Sequence, residues 1–236
     1  SGLLLWRVTG GAFAAKRLAE KYYGAIPPGL SVGRNRAKEP PQKSARRVVH
    51  SDKRVRQPSW RRTYVAPSLL WGEKKHAYPL EVLADVIGGG ASSRLYRKLV
   101  VEDEVAVSAG AYYSGAGNGP GRFTFYASPR GAVSLQALEK KVEKAIKELV
   151  KNGITEEELR RAKSRMLAAA IYARDSLAGA ARSLGSSLAA GIPVVEVEAW
   201  PERIEAVTLA QILEAAASTF NEQRSVTGLL LPKVKP

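Results

Sequence analysis

The chain has 236 residues, of which 45% are hydrophobic and none is cysteine, and its formal net charge at pH 7 is +15. This composition excludes general disorder, disulfide bonds and thiolate metal sites, and no apolar run approaches the roughly 18 residues of a membrane-spanning helix. The two histidines, His50 and His76, lie far apart in sequence. A histidine-rich metal site within this chain is therefore not expected.

The first part of the chain has the pattern of a strand, a helix and a linker. An apolar run of strand length occupies residues 1–9, and a helical pattern then ends at Gly24. Such an abrupt apolar start predicts that the chain is a fragment of a longer protein. Residues 28–47 are rich in Pro, Gly, Ser and basic side chains, which predicts a linker.

Most of the excess positive charge lies between positions 34 and 62. Nucleic acid, anionic lipid or an acidic partner could each use such a stretch. A solvated basic connector is the simpler interpretation and the favoured one, because Pro27–Pro28 and Pro40–Pro41 lie beside it.

The central part of the chain predicts strands around a glycine-rich helix end. Residues 48–67 have strand-like sequence, and an apolar helix at 77–87 runs into three glycines, which end a helix well. Ser92 or Ser93 can cap the next short helix. Residues 105–128 alternate as a hairpin of two antiparallel strands.

The last part of the chain predicts helices and one strand. A charged amphipathic helix covers 134–152, and capping boxes at Thr155 and Thr208 begin two more helices, which end near 191 and 220. Residues 225–231 predict a final strand. The order of elements predicts an α+β fold: a two-layer sandwich of an antiparallel sheet with helices packed on one face.

Four stretches, at residues 18–27, 88–99, 153–159 and 207–210, resemble the zinc metallopeptidases of the insulinase, pitrilysin and mitochondrial processing peptidase family. The run Gly-Gly-Gly-Ala-Ser-Ser-Arg-Leu-Tyr is the most specific of them. The bacterial short-chain branch, whose members are often periplasmic and work as pairs of subunits, is the most similar.

This resemblance implies a chain built from parts of two homologous halves. Residues 1–27 resemble the tail of a zinc-type first half, 28–47 the linker, and 48–236 the inactive C-terminal domain. In the family the first half carries a His-x-x-Glu-His zinc motif, and the second half closes the chamber. Zinc would then belong to the parent or partner domain, and this fragment alone would be inactive.

Two departures from the family pattern affect the function. The chain has no His-x-x-Glu-His motif, and the family's substrate-holding Arg and Tyr fall at Val100 and Val107. We therefore expect no catalytic, metal-binding or substrate-binding residue here, since valine can neither pair with a carboxylate nor donate a hydrogen bond.

Two hypotheses remain open. In the first, the chain is the non-catalytic half of a zinc metalloendopeptidase, forming chamber wall and subunit interface. Its partners would be the preceding zinc-bearing domain, a homologous subunit that supplies the Arg–Tyr pair, and a peptide substrate. In the second, it belongs to a degenerate structural scaffold. Nucleic-acid binding is a third and weaker hypothesis.

Several other residues have simpler structural interpretations. Arg94 and Tyr96 are expected to pack a helix, and Arg174–Asp175 to form a local ion pair. His50 and His76 are expected in surface or loop positions. Core and chamber wall are the expected places of four aromatic residues: Tyr112, Tyr113, Phe123 and Tyr126.

Overall fold

The computed structural model describes residues 12–27, 42–174 and 177–233. The apolar run at 1–9, most of the linker and Asp175 lie outside these ranges. Five strands of the described part form one sheet in the order β1-β5-β2-β4-β3. They are β1 (Arg46–Asp52), β2 (Ser59–Ala66), β3 (Ala106–Ser114), β4 (Gly121–Pro129) and β5 (Ser225–Pro232).

The pairing of the strands confirms the predicted hairpin. β3 is antiparallel to β4, and β2 is antiparallel to both β4 and β5. The exception is β1, which pairs with β5 in parallel, so the sheet is mixed rather than wholly antiparallel. The strand-like stretch at 48–67 is two strands, and the first begins at Arg46, within the range predicted as linker.

The helices lie between and after the strands. They are α1 (Ala12–Tyr23), α2 (Ala77–Gly88), α3 (Arg94–Tyr96), α4 (Leu135–Asn152), α5 (Glu156–Arg174), α6 (Leu177–Ala190), α7 (Val194–Glu198), α8 (Trp200–Glu205) and α9 (Leu209–Thr219). A π-helical turn, Arg97–Glu102, continues α3, and short 3-10 turns precede α2 and β5. The capping boxes predicted at Thr155 and Thr208 are both present.

Helices α2, α4 and α9 pack against the sheet on one side, which confirms the α+β class. Alternate residues of β2 are buried against them, as the two-residue period of a strand requires. We call this side the helix face. Its aromatic members form a cluster with Phe220 of the segment after α9, with ring centroids 4.8–6.0 Å apart: Tyr64, Phe123 and Phe125.

The predicted glycine run ends α2 and brings it onto β3. A Cβ at Gly88 would lie 2.1 Å from both the backbone nitrogen and the carbonyl oxygen of Ala111, so only glycine permits this approach. Gly90 has a φ of +103°, which L side chains rarely adopt. Ser93 takes the N-cap position of α3 as predicted, but its side chain makes no capping hydrogen bond.

Candidate functional site

The helix face contains an ion cluster of two arginines and two glutamates, of which Arg62 and Glu139 are buried. Arg62 is 6% exposed, and its guanidinium nitrogen lies 2.7 Å from Glu143 Oε1 and 3.1 Å from Glu139 Oε1. Arg62 Nε donates to Thr227 Oγ1 at 2.9 Å. Arg47 of β1 donates two hydrogen bonds of 2.8 Å to the carboxylate of Glu139. These contacts hold α4 against β1, β2 and β5.

The cluster keeps its charges at neutral pH. Hydrogen bonds from Arg47 lower the pKa of Glu139, although burial of this carboxyl opposes the shift. Burial of Arg62 is the largest single influence and acts against its charge, but the hydrogen bond to Glu143 and the interactions with Tyr64 together outweigh burial and raise the pKa of Arg62. A group with such a shifted pKa cannot exchange protons near neutrality, so the cluster is structural and not an acid–base pair.

The opposite side of the sheet, which we call the open face, is mostly exposed and carries basic side chains, although Thr124 on it is buried. Arg46, Arg61 and Arg122 point away from the helices and are all exposed. In the described ranges none of these three makes an ion pair or a side-chain hydrogen bond. Most other members of the open face on β1, β2, β4 and β5 are apolar, hydroxyl-bearing or small: Val48, Ser59, Thr63, Val65, Thr124, Tyr126, Ser128, Val226, Gly228 and Leu230. His50 and Asp52 of β1 lie on the same face, level with Leu230 and Pro232 of β5.

Registers align these residues in rows across the strands. Arg46 is level with Val226, Thr63 and Thr124 and with Tyr112 of β3. The next row contains Val48, Gly228, Arg61, Tyr126 and Gly110. Apolar side chains are solvated here: Val48 is 56% exposed and Val65 42%. This face thus offers arginines and apolar groups side by side.

The four predicted aromatic residues divide between the two faces. Tyr113 and Phe123 lie against the core, whereas Tyr112 and Tyr126 lie on the open face with ring centroids 6.3 Å apart. Gly110 sits under Tyr126, because a Cβ there would come within 2.6 Å of the tyrosine hydroxyl.

Val100 and Val107, the positions at which the family's Arg and Tyr are predicted to fall, have different environments. Val100 is 7% exposed and packs in the core, while Val107 is 48% exposed at an irregularity in β3. The guanidinium near Val100 belongs to Arg130, which donates to the Val100 carbonyl at 3.2 Å and lies 3.6 Å from Glu104. Sequence reasoning did not identify Arg130, since it follows β4 and is far from this segment in sequence.

Arg94 has the structural role predicted for it. Its guanidinium makes a double hydrogen bond with the Glu158 carboxylate and donates to the Gly153 carbonyl at 3.0 Å. Glu158 is also the capping-box residue of α5. Tyr96 is partly buried against the core. Arg94 therefore joins α3 to the start of α5.

The two histidines differ. His50 is exposed on β1, as predicted. The prediction for His76 is wrong: it is 3% exposed, because it immediately precedes α2, whose first turn enters the core. Its Nε2 lies 3.6 Å from Glu73 Oε2. The charged neighbours Lys74 and Lys75 hide this burial in the sequence.

A cavity of about 620 Å³ lies among α2, α5, α6, α7 and α8. Burial raises the pKa of Glu81 there, and Glu81 Oε1 accepts a hydrogen bond from Trp200 Nε1 at 3.0 Å. Tyr78 donates to Glu196 at 2.7 Å. These polar groups join helices of one layer to each other, and they include no nucleophile–base pair.

Within the described part of the chain, no three His, Cys, Asp or Glu side chains are close enough together to hold a metal ion. A search of the same residues finds no helix with the length and apolar character needed to cross a membrane.

Comparison with known proteins places the chain among peptidase domains. The sequence profile of the peptidase M16 inactive domain matches residues 14–166. An uncharacterised zinc protease from Rickettsia felis is 28% identical over 144 residues, which are 61% of this chain and 34% of that protein. The chain thus spans about a third of the length of this curated relative.

Solved structures share the fold. A protease from Helicobacter pylori superposes with a TM-score of 0.83 at 21% identity, covering 96% of this chain and 53% of that one. The peptidase M16 inactive domain from Pseudomonas fluorescens gives 0.73 at 21% identity, with 96% and 52% covered. The first half of the periplasmic protease PqqL from Escherichia coli gives 0.73 at 15% identity, with 94% and 49% covered. The profile match extends over more than half of the sequence, and the chain belongs to the peptidase M16 inactive domain family.

Proposed function

We propose that this chain is the non-catalytic half of a zinc-dependent metalloendopeptidase. The observation that carries the proposal is the match of the inactive domain profile to residues 14–166. The chain covers about half of the Helicobacter pylori protease and a third of the Rickettsia felis zinc protease, which leaves room in a longer parent for a zinc-bearing half.

The open face suits the wall of a substrate chamber in such a parent. Most of its side chains are at least partly exposed, whereas the buried apolar residues of the strands lie on the helix face. Val100 and Val107 stand where the family holds substrate with Arg and Tyr, so a homologous partner subunit would supply that pair. Zinc would reside in the preceding domain, outside the described residues.

The test compares the full-length parent alone with the parent mixed with the product of the neighbouring homologous gene. Zinc content and cleavage of an unfolded peptide are measured in both samples. Zinc in the parent, with cleavage only in the mixture, is the expected result. Cleavage by the 236-residue chain alone, sensitive to a chelator, would overturn the proposal.

A structural scaffold is the second candidate, and the loss of the Arg and Tyr at positions 100 and 107 favours it equally. It predicts neither zinc nor cleavage in either sample. It also predicts that the parent is recovered in a stable complex with another protein, detected by its mass in light scattering.

A further inference from the structure

The open face carries three arginines that nothing in the described domain uses. Arg46, Arg61 and Arg122 stand at the corners of a triangle with sides of about 12 to 16 Å, from the strand spacing and the registers. Between them lie Val226, Thr63 and Thr124. No carboxylate belongs to the inner strands of this face, and Asp52 at the end of β1 is already bound by Arg54.

Gly228 adds a second observation. Glycine in a strand interior weakens the strand and often marks a place where another backbone or a ligand approaches. Gly228 has no left-handed φ, and nothing lies within 4 Å of the place where its Cβ would be. The domain itself therefore gives no reason for glycine here. Its position between Val48 and Arg61 makes a low point in the surface.

We propose that the open face binds an extended acidic peptide segment of the substrate. Carboxylates four residues apart in an extended chain are about 13 Å apart, which matches the separation of Arg61 from Arg46 or Arg122. The apolar side chains between them would contact Val226 and Val65, and the segment would lie lowest at Gly228. This inference rests on the proposed function, because it names the substrate class of the chamber wall.

A peptide fits this face better than a nucleic acid does. A phosphate backbone presents closely spaced charges and needs a continuous basic track, whereas these arginines are separated by apolar and hydroxyl side chains. Exposed valine, leucine and tyrosine side chains match the alternating side chains of an extended peptide.

The binding test uses the 236-residue chain and fluorescence anisotropy. The probe is a labelled nonapeptide with glutamate at positions three and seven, which are about 13 Å apart in an extended chain, valine and tyrosine at five and nine, and serine elsewhere. Lysine and glutamine replace glutamate in two matched peptides, and a single-stranded oligothymidine of equal charge is the fourth probe. The glutamate peptide should bind at least about tenfold more tightly than both matched peptides. Equal affinity for the lysine peptide, or tighter binding of the oligothymidine, would overturn the proposal.

Variants locate the surface. We expect the affinity for the glutamate peptide to fall about tenfold in a triple variant that combines Arg46→Gln, Arg61→Gln and Arg122→Gln. Arg182→Gln, which removes an exposed arginine from α6 in the helix layer, should leave the affinity unchanged. Gly228→Val should weaken binding while the midpoint of thermal unfolding stays equal or rises. A triple variant that binds as well as Arg182→Gln does would overturn the proposal.

Failure of this inference is distinguishable from failure of the proposed function. If the parent contains zinc and cleaves peptides but the chain does not bind the acidic peptide, only the inference is contradicted. Arginine-dependent peptide binding by the chain, with no zinc and no cleavage in the parent, contradicts the proposed function but supports peptide binding by the open face.

Discussion

Arginine side chains have opposite environments on the two faces of the sheet. Arg61 and Arg62 are neighbours in β2, but they point to opposite sides. Arg62 is buried and contacts Glu139 and Glu143 of α4, whereas Arg61 is exposed and has no acidic partner among the described residues. The arginines of the helix face thus have acidic partners within the domain, whereas Arg46, Arg61 and Arg122 of the open face have none among the described residues and are free to contact another molecule.

This difference follows from the cost of burying charge. A buried guanidinium without a partner would destabilise the fold strongly, so Arg62 requires Glu139 and Glu143. An exposed guanidinium stays hydrated and contributes little to stability. The arginines of the open face are therefore not explained by folding, which makes them candidates for binding.

The largest expected effect contrasts the two neighbours in β2. Arg62→Leu should lower the free energy of unfolding by roughly 3–5 kcal/mol, because it removes the hydrogen bonds of Arg62 to Glu139, Glu143 and Thr227 and leaves Glu139 paired with Arg47 alone. Arg61→Leu should change it by no more than about 0.5 kcal/mol, since no contact within the domain is lost. Urea denaturation measures both, and equal losses for the two variants would contradict the distinction between the faces.

A second contrast uses two glycines. Gly88→Ala should destabilise the chain by roughly 1–3 kcal/mol, because the added Cβ would meet the backbone of Ala111 at 2.1 Å. Gly228→Ala should leave stability unchanged or raise it by up to about 1 kcal/mol, since its Cβ meets nothing. Thermal unfolding of both variants provides the comparison. A loss at Gly228 as large as that at Gly88 would show that position 228 is needed for folding.

A smaller effect appears in the pH dependence of stability. The pKa of Glu139 is lowered in the folded chain from its ordinary value of 4.5. Its stabilising contribution is therefore complete above pH 4.5 and is lost as the pH falls through the lower, folded value. Glu139→Gln should be less stable at pH 7 and lose less stability on acidification than the unmodified chain does.

Arg61→Gln is the control for this pH series, because it changes a charge of the open face. Its curve of unfolding free energy against pH should run parallel to that of the unmodified chain. If the curve for Glu139→Gln is also parallel to that of the unmodified chain, titration of Glu139 does not contribute to the loss of stability at low pH.

Local signals in the sequence predicted much of the fold. The capping pairs at Thr155 and Thr208 act within one turn, and the alternation at 105–128 reflects neighbouring strands, so both were visible without the tertiary structure. The parallel pairing of β1 with β5 joins residues such as Arg46 and Val226, which lie far apart in the chain. No local pattern specifies such a contact.

The basic stretch shows where sequence reasoning stops. Residues 28–47 were predicted as a linker, yet Arg46 and Arg47 lie in β1. Arg61 and Arg62 lie in β2, within the stretch at 48–67 predicted as strand-like. Consecutive arginines conceal the alternation that marks a half-buried strand, because polar residues occupy both faces. The buried partner of Arg62, Glu139, lies on α4 and could be identified only from the folded structure.

The most direct test of the account is the zinc content of two purified proteins, the 236-residue chain and its full-length parent, measured by plasma mass spectrometry after dialysis. We expect close to one zinc ion per parent molecule and almost none in the chain. Stoichiometric zinc in the chain itself, or none in either protein, would contradict the assignment of this domain as the non-catalytic half of a zinc peptidase.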